Sequence, residues 1–338
     1  MYSKTESFIK QLVDERKIPG ISYAFLSKSK QYKKVIGLKQ ITPFEERLLE
    51  DTLYDMASLT KVICTNSVIL KLIEKNKLSI DTPLNSYLPE FTDKLVTIRQ
   101  LLTHTSGINP YIPNRDSLNQ EELKREILKL TSNDSRGKIV KYTDTGTVLL
   151  GFLIEEIYQK SVHDVFLQEV IHPLKMERSF FYNFDKKEAA PTEYSSKRGL
   201  IQGDVHDPKA YVLKDHCGSA GLFSTLEDTI LFVQMMMNGG KTVDKATFLS
   251  QKTVMSLCQD YTDGNMKKRS LGWDLIEKNK HTFLYHTGYT GTFILMDIKE
   301  QEGLIFLSNR VHPHDNREEY ILLRDQLIEI YLNETTNH

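Results

Sequence analysis

The stretch Asp55-Met56-Ala57-Ser58-Leu59-Thr60-Lys61 leads into a largely apolar segment that continues to Ile73. A segment that is apolar on most sides predicts a helix buried in the centre of a domain. Residues three apart are neighbours on a helix surface, so Lys61 is expected beside Ser58. The pattern therefore places an ammonium group next to a hydroxyl at the entrance of a core helix.

Ser58 and Lys61 are residue types that nucleophilic catalysis uses. A serine hydroxyl is a poor nucleophile until a base takes its proton, and burial can lower the pKa of a lysine enough for that task. The free N–H groups at a helix start also favour an oxyanion. A second Ser-x-x-Lys copy, Ser27–Lys30, lies in a polar turn with no apolar helix behind it, and we interpret it as structural.

Composition indicates an ordinary globular protein. The 338 residues are 40% hydrophobic and 26% charged, which suits one large or two moderate domains. Lys plus Arg number 44 and Asp plus Glu number 45, with no long run of one sign. We therefore expect a small-molecule partner rather than nucleic acid or an anionic membrane surface.

The cysteines, the histidines and the first residues argue against several further classes of protein. Three scattered cysteines predict reduced thiols, and no metal-ligand spacing is present, so no metal or organic cofactor is implied. The first residues lack the pattern of a signal peptide, and no apolar run is long enough to span a membrane. We expect a cytoplasmic protein unless a leader was removed; the oligomeric state is not readable.

Hydrophobic periodicity predicts an α/β (α+β) fold. Helices are predicted at 3–16, after Ser58, at 119–131, at 147–160 and at 317–332, and strands at 21–26, 31–36, 271–276, 283–286, 292–296 and 303–307. Strands near both chain ends indicate one antiparallel sheet flanked by N- and C-terminal helices, with a large, mainly helical insertion. In the final helix we expect Tyr320, Leu323, Leu327, Ile330 and Tyr331 to be buried.

This arrangement predicts two domains. Residues 1–55 and 200–338 would form the sheet domain, and residues 56–199 the mainly helical domain. The active site is expected in the cleft between them, because Ser58 stands where the two meet.

Short motifs along most of the chain occur in a characteristic order. They are Met56–Lys61, Leu78–Pro83, Leu101–Gly107, Tyr142–Asp144, Leu149–Gly151, Val205–Asp207, Ala220–Thr225, Leu271–Trp273, His286–Gly288 and Asn309–Pro313. In this order the chain resembles the family of class C β-lactamases, low-molecular-weight penicillin-binding proteins and serine esterases. The resemblance implies a β-lactamase/transpeptidase-like fold.

The resemblance also implies catalytic roles. Ser58 would be the nucleophile and Lys61 its base partner. Tyr142 matches the tyrosine of the family's Tyr-x-Asn motif, and it would share proton transfer with Lys61 and pass a proton to the leaving group. The backbone N–H groups of Ser58 and Tyr289 would form the oxyanion hole.

Two substrate-binding positions depart from the common family pattern. Asp144 stands where many members have Asn; an ionised carboxylate could bind Lys61 strongly but could not donate a hydrogen bond to a substrate. In His286-Thr287-Gly288, the histidine stands where many β-lactamases have Lys, although some peptidases of the family carry His. A neutral histidine attracts a substrate carboxylate less than lysine does.

Other histidines have simpler interpretations. We expect His104 to fix a loop by hydrogen bonding, and His206 and Asp207 to be structural or to line the cleft.

These observations predict a serine hydrolase working through a Ser58 acyl-enzyme on a small ester or amide substrate, of esterase or D-amino-acid peptidase type. A penicillin-binding DD-carboxypeptidase or a weak class C β-lactamase is the alternative within this class. A non-catalytic binding or scaffold protein of the same fold is the alternative outside it.

Overall fold

The computed structural model describes residues 2–28, 30–264 and 267–336. Ser29, in the predicted polar turn, lies outside them. The strands are β1 (Gly20–Ser27), β2 (Lys30–Gln40), β3 (Glu46–Arg47), β4 (Tyr54–Asp55), β5 (Tyr194–Ser195), β6 (Gly199–Leu200), β7 (Phe223–Ser224), β8 (Asp274–Lys278), β9 (His281–Thr287), β10 (Phe293–Asp297) and β11 (Glu302–Ser308).

The α-helices are α1 (Ser3–Asp14), α2 (Asn66–Glu74), α3 (Ile98–Leu102), α4 (Gln120–Leu128), α5 (Thr145–Tyr158), α6 (Val162–Phe166), α7 (Pro208–Leu213), α8 (Leu226–Met237), α9 (Gln251–Ser256) and α10 (Arg317–Thr335). Single π-helical turns lie at Lys61–Thr65 and Leu167–Ile171. Short 3₁₀ turns lie at Leu84–Ser86, Arg115–Ser117, Lys186–Glu188 and Lys214–His216.

Within the described residues, the main sheet has seven antiparallel strands in the order β3-β2-β1-β11-β10-β9-β8. The N-terminal strand β1 pairs with the late strand β11, with Ile21 opposite Ser308 and Phe25 opposite Leu304. This pairing confirms the predicted sheet built from both chain ends.

The two faces of the sheet carry different layers. Side chains alternate between faces along a strand; Tyr23 and Phe25 belong to the core formed with α1 and α10, whereas Ala24 and Leu26 belong to the larger core formed with the helices of the middle of the chain. The terminal helices are also joined directly, because Glu334 accepts the backbone N–H groups of Lys4 at 2.9 Å and Thr5 at 2.8 Å.

The segment after Ser58 is buried as predicted. Its first turn is π-helical, and α2 then buries most of its residues, including Val68 and Ile69. Helix α5 packs against this segment, and α8 covers the sheet beside β1 and β11. None of the helices in the described residues is both long and apolar enough to cross a membrane.

Two predicted details are wrong. The strand expected from Leu271 begins at Asp274, because Gly272 has a φ of 85° and a Cβ there would lie 2.8 Å from Asn66 Nδ2. In α10, Leu323 and Ile330 are only partly buried because they lie at one edge of the inward helical stripe, and Ile328, outside the predicted set, is buried.

The proposed domain division stays a prediction. Its boundary between residues 199 and 200 falls inside the β5–β6 hairpin, in which Tyr194 pairs with Leu200.

Candidate active site

Ser58 lies on a constrained turn between β4 and the core helix. Ala57, the residue before it, has a φ of 45°, a left-handed conformation that residues with a side chain rarely adopt. The buried carboxylate of Asp55 accepts the Ala57 N–H at 2.8 Å and holds this conformation. As a result, Ser58 is partly exposed while its neighbours Met56 and Leu59 are buried.

Lys61 lies directly beside Ser58. Its side chain is 4% exposed, and its ammonium group donates to Ser58 Oγ at 2.7 Å, to the Ser219 carbonyl at 2.9 Å and to Asp144 Oδ1 at 2.9 Å. These three acceptors match the three N–H groups of an ammonium. The contact with Ser219 was not predicted, because no local pattern links residues so far apart in the sequence.

The pKa of Lys61 shifts in the direction opposite to the one expected from the sequence. Burial lowers it, but the negative charge of Asp144 and the nearby phenol of Tyr142 outweigh burial, and the pKa of Lys61 is raised above its ordinary value. Lys61 is therefore an ammonium at neutral pH, and it donates to Ser58 rather than accepting from it.

Asp144 bridges two lysines. Its Oδ2 accepts from Lys209 Nζ at 2.7 Å, while Oδ1 accepts from Lys61. Burial alone would raise the pKa of Asp144, but the two ammonium groups lower it well below its usual range. Lys209 was missed in the sequence. The pair Asp207-Pro208 is typical of a helix start, but it does not show which side chain the next residue reaches.

Tyr142 stands on the loop before α5 and is 47% exposed. Its ring centre lies 5.6 Å from Lys61 Nζ and 4.5 Å from the ring of His104. Among the described residues, its hydroxyl has no hydrogen-bond partner. The backbone carbonyl of His104 accepts the Lys141 N–H at 2.9 Å, and the role expected for its imidazole ring in fixing the loop stays a prediction.

His286 is buried in β9, with 3% of its surface exposed. Its Nδ1 lies 3.1 Å from the carbonyl of Thr287. Burial, together with the charge of Lys61, lowers its pKa well below the ordinary value, so the ring is neutral. The ring lines a small internal cavity beside Lys61 and Asn66.

The end of β9 is locked to the Ser58 turn. Thr290 Oγ1 donates to the Asp55 carbonyl at 2.7 Å. Gly288 lies against Met56, and a Cβ at Gly288 would stand 2.6 Å from the Met56 carbonyl oxygen. Thr287 is partly exposed at the strand end. In the part of the chain that the structure describes, the backbone N–H groups of Ser58 and Tyr289 have no acceptor.

His206 and Asp207 do not form a charge relay. The His206 backbone N–H donates to Asp55 Oδ2 at 2.7 Å, and its ring stacks on Tyr289 with the ring centres 5.4 Å apart. Asp207 accepts the Ala210 N–H at 2.8 Å as the cap of α7. No cluster of His, Cys, Asp or Glu suited to a metal ion occurs among the described residues.

A family model described as Beta-lactamase matches residues 5–328. The chain belongs to the Beta-lactamase family. Among its curated relatives, an N-acetylmuramyl-L-alanine amidase of Bacillus subtilis is 26% identical over 305 residues, covering 77% of this chain and 68% of the relative. A putative D-alanyl-D-alanine carboxypeptidase of Escherichia coli is 28% identical over 305 residues, covering 77% of this chain and 70% of the relative.

Solved structures show the fold of this Beta-lactamase family member. EstCE1, a hydrolase with promiscuous acyltransferase activity, superposes with a TM-score of 0.77 at 19% identity, covering 96% of this chain and 97% of EstCE1. A class C β-lactamase superposes with a TM-score of 0.76 at 20% identity, covering 97% and 95% of the two chains. The resemblance and the fold class predicted from the sequence are both confirmed.

Proposed function

We propose that this chain is a serine hydrolase that forms an acyl-enzyme on Ser58 with a small ester or amide substrate. The observation that carries the proposal is the 2.7 Å hydrogen bond from the buried Lys61 ammonium to Ser58 Oγ. When the Ser58 hydroxyl loses its proton, the positive charge of the Lys61 ammonium stabilises the alkoxide that forms.

In the proposed reaction, Ser58 Oγ bonds to the substrate carbonyl carbon, and the N–H groups of Ser58 and Tyr289 stabilise the oxyanion. Since Lys61 is already protonated, we assign the proton acceptor as Tyr142 acting as a phenolate, whose oxygen has no partner in the described part of the chain and whose negative charge the nearby Lys61 ammonium would stabilise. Tyr142 then passes this proton to the leaving group as the bond to it breaks. Water releases the acid by the same route in reverse, with Tyr142 again moving the proton.

We propose that the end of β9 binds the substrate and that two further residues hold the site in place. Thr287, Gly288 and Tyr289 would bind the substrate along the end of β9, and the buried His286 would set the position of that strand. Asp144 would hold Lys61 in place.

D-alanyl peptides are the second candidate substrates, because a relative in Escherichia coli is named as a putative D-alanyl-D-alanine carboxypeptidase. Fast β-lactam hydrolysis is less favoured, since the neutral, buried His286 cannot offer a charge to a substrate carboxylate.

The first test is intact-protein mass spectrometry after brief exposure to benzylpenicillin, with the free drug assayed in the same tube. A lasting Ser58-dependent adduct supports a site shaped for D-alanyl peptides, and drug consumed without an adduct indicates a β-lactamase. If neither changes, the esterase assignment is tested with phenyl acetate.

The serine itself is tested with two variants. We expect Ser58→Ala to lose at least about 10⁴-fold in kcat, because the nucleophile is removed. The matched control is Ser27→Ala, in the other Ser-x-x-Lys copy, which should retain wild-type activity. If Ser58→Ala keeps every activity of the wild type, the chain is not a Ser58 hydrolase.

A further inference from the structure

We propose that Lys209 is a substrate-binding residue that selects acyl groups ending in a carboxylate. The inference rests on the proposed function, because it concerns the acyl group that Ser58 would carry. Lys209 is the second residue of α7, and its side chain is 16% exposed.

The position of Lys209 is fixed by Asp144. Lys209 Nζ lies 2.7 Å from Asp144 Oδ2, and the other oxygen of the same carboxylate lies 2.9 Å from Lys61 Nζ. Lys61 in turn contacts Ser58 Oγ. Lys209 therefore lies close to the reacting centre, separated from Ser58 by two hydrogen-bonded groups.

Lys209 has hydrogen bonds left to give. An ammonium carries three donors, and Asp144 is the sole acceptor of Lys209 among the described residues. Asp144, being ionised, can only accept. Together the two side chains offer a substrate both a hydrogen-bond acceptor and a hydrogen-bond donor, as a single Asn amide would. Asp144 supplies the acceptor and Lys209 the donor.

The chemistry favours an anionic acceptor. Hydrogen bonds between an ammonium and a carboxylate are shorter and stronger than those between neutral groups. His286, the other side chain that sequence placed in this role, is neutral and buried. A carboxylate a few bonds from the reacting carbonyl would therefore be bound by Lys209.

The test compares two esters whose acyl chains have the same length, monophenyl glutarate and phenyl valerate. Only the first ends in a carboxylate. We expect Lys209→Met to lower the ratio of their kcat/KM values by about tenfold or more, and Lys209→Arg to keep most of it. The control is Lys214→Met, which removes the same charge from an exposed position nearby and should leave the ratio unchanged.

A binding measurement separates this inference from the proposed function. In the Ser58→Ala background, titration calorimetry with monophenyl glutarate should show affinity weakened about tenfold by Lys209→Met. A ratio or affinity changed less than twofold overturns the role of Lys209, even if Ser58-dependent hydrolysis is intact. Conversely, weakened binding without any hydrolysis by the parent chain supports Lys209 and overturns the proposed function.

Discussion

At the scale of single residues, Asp144 decides the charge of the candidate site. It holds one ammonium on each of its oxygens, and its negative charge raises the pKa of Lys61 despite burial. A lysine at this position could act as a base if burial prevailed. In this chain it acts, on our proposal, as a permanent cation beside Ser58.

This proposal predicts the pH dependence of Asp144→Asn. Removing the carboxylate charge lowers the pKa of Lys61, so the ammonium loses its proton at lower pH. Because the wild-type Lys61 keeps its proton above pH 10, its kcat/KM profile for an aryl ester should show no fall from Lys61 up to pH 10, whereas the profile of Asp144→Asn should begin to fall below pH 10. The profile is measured from pH 5 to 10.

A control for this experiment is Glu126→Gln, which removes a carboxylate from the exposed pair with Lys129 and should leave the profile in place. An Asp144→Asn enzyme that instead gains activity at acidic pH, with its alkaline limb unmoved, would mean that Lys61 takes up the Ser58 proton.

At the scale of elements, the end of β9 and the turn before Ser58 act as one unit. The two are joined by the bond from Thr290 to the Asp55 carbonyl and by the close approach of Gly288 to Met56. Both proposed oxyanion donors, the N–H groups of Ser58 and Tyr289, belong to this unit, so their separation depends on that approach.

Gly288→Ala should push these elements apart. The added Cβ would stand 2.6 Å from the Met56 carbonyl oxygen, which forces a shift of backbone against backbone. Because an oxyanion donor is displaced, we expect kcat to fall about 100-fold or more. Gly303→Ala in β11 is the matched control, since its Cβ would make only ordinary contacts, the nearest at 3.5 Å. Equal kcat values in the two variants would contradict the assignment of Tyr289.

The sequence predicts secondary-structure elements well and contacts between residues far apart in the sequence poorly. Period-two and helical patterns located β1, β2, the four late strands and the helices α1, α2, α4, α5 and α10, but not α3 or α6 to α9. The spacing of Ser58 and Lys61 brought these two residues together. Nothing local revealed that Lys209 or the Ser219 carbonyl reaches the same place. The direction of the Lys61 pKa was missed for the same reason, since it depends on which charges the fold places next to it.

At the scale of the whole molecule, burial of neutral histidines links stability to pH. His163 in α6 is 5% exposed, and its Nε2 lies 3.1 Å from the Cys217 carbonyl. Burial lowers the pKa of His163 to about 4. The unfolded chain takes up this proton first as the pH falls, so stability is lost between about pH 6.5 and pH 4.

His163→Gln should therefore reduce the acid sensitivity of the fold. Gln can still donate to the Cys217 carbonyl but does not titrate. We expect the loss in free energy of unfolding from pH 7 to pH 4 to shrink by about 3 kcal/mol, measured by urea denaturation at both pH values. The control is His172→Gln at an exposed position. An unchanged loss in His163→Gln would show that other groups govern acid unfolding.

The contact between α1 and α10 has a mechanical consequence. Glu334 accepts hydrogen bonds from the backbone N–H groups of Lys4 and Thr5. Residues near both ends of the chain are therefore joined on the face of the sheet away from α2. A pulling force applied to the two ends would act on the hydrogen bonds between Glu334 and the backbone of Lys4 and Thr5 before it acts on the main sheet. The two ends of the chain therefore lie together on the face of the sheet away from α2. A linker or a solid support attached at either end would leave the cleft at Ser58 unobstructed.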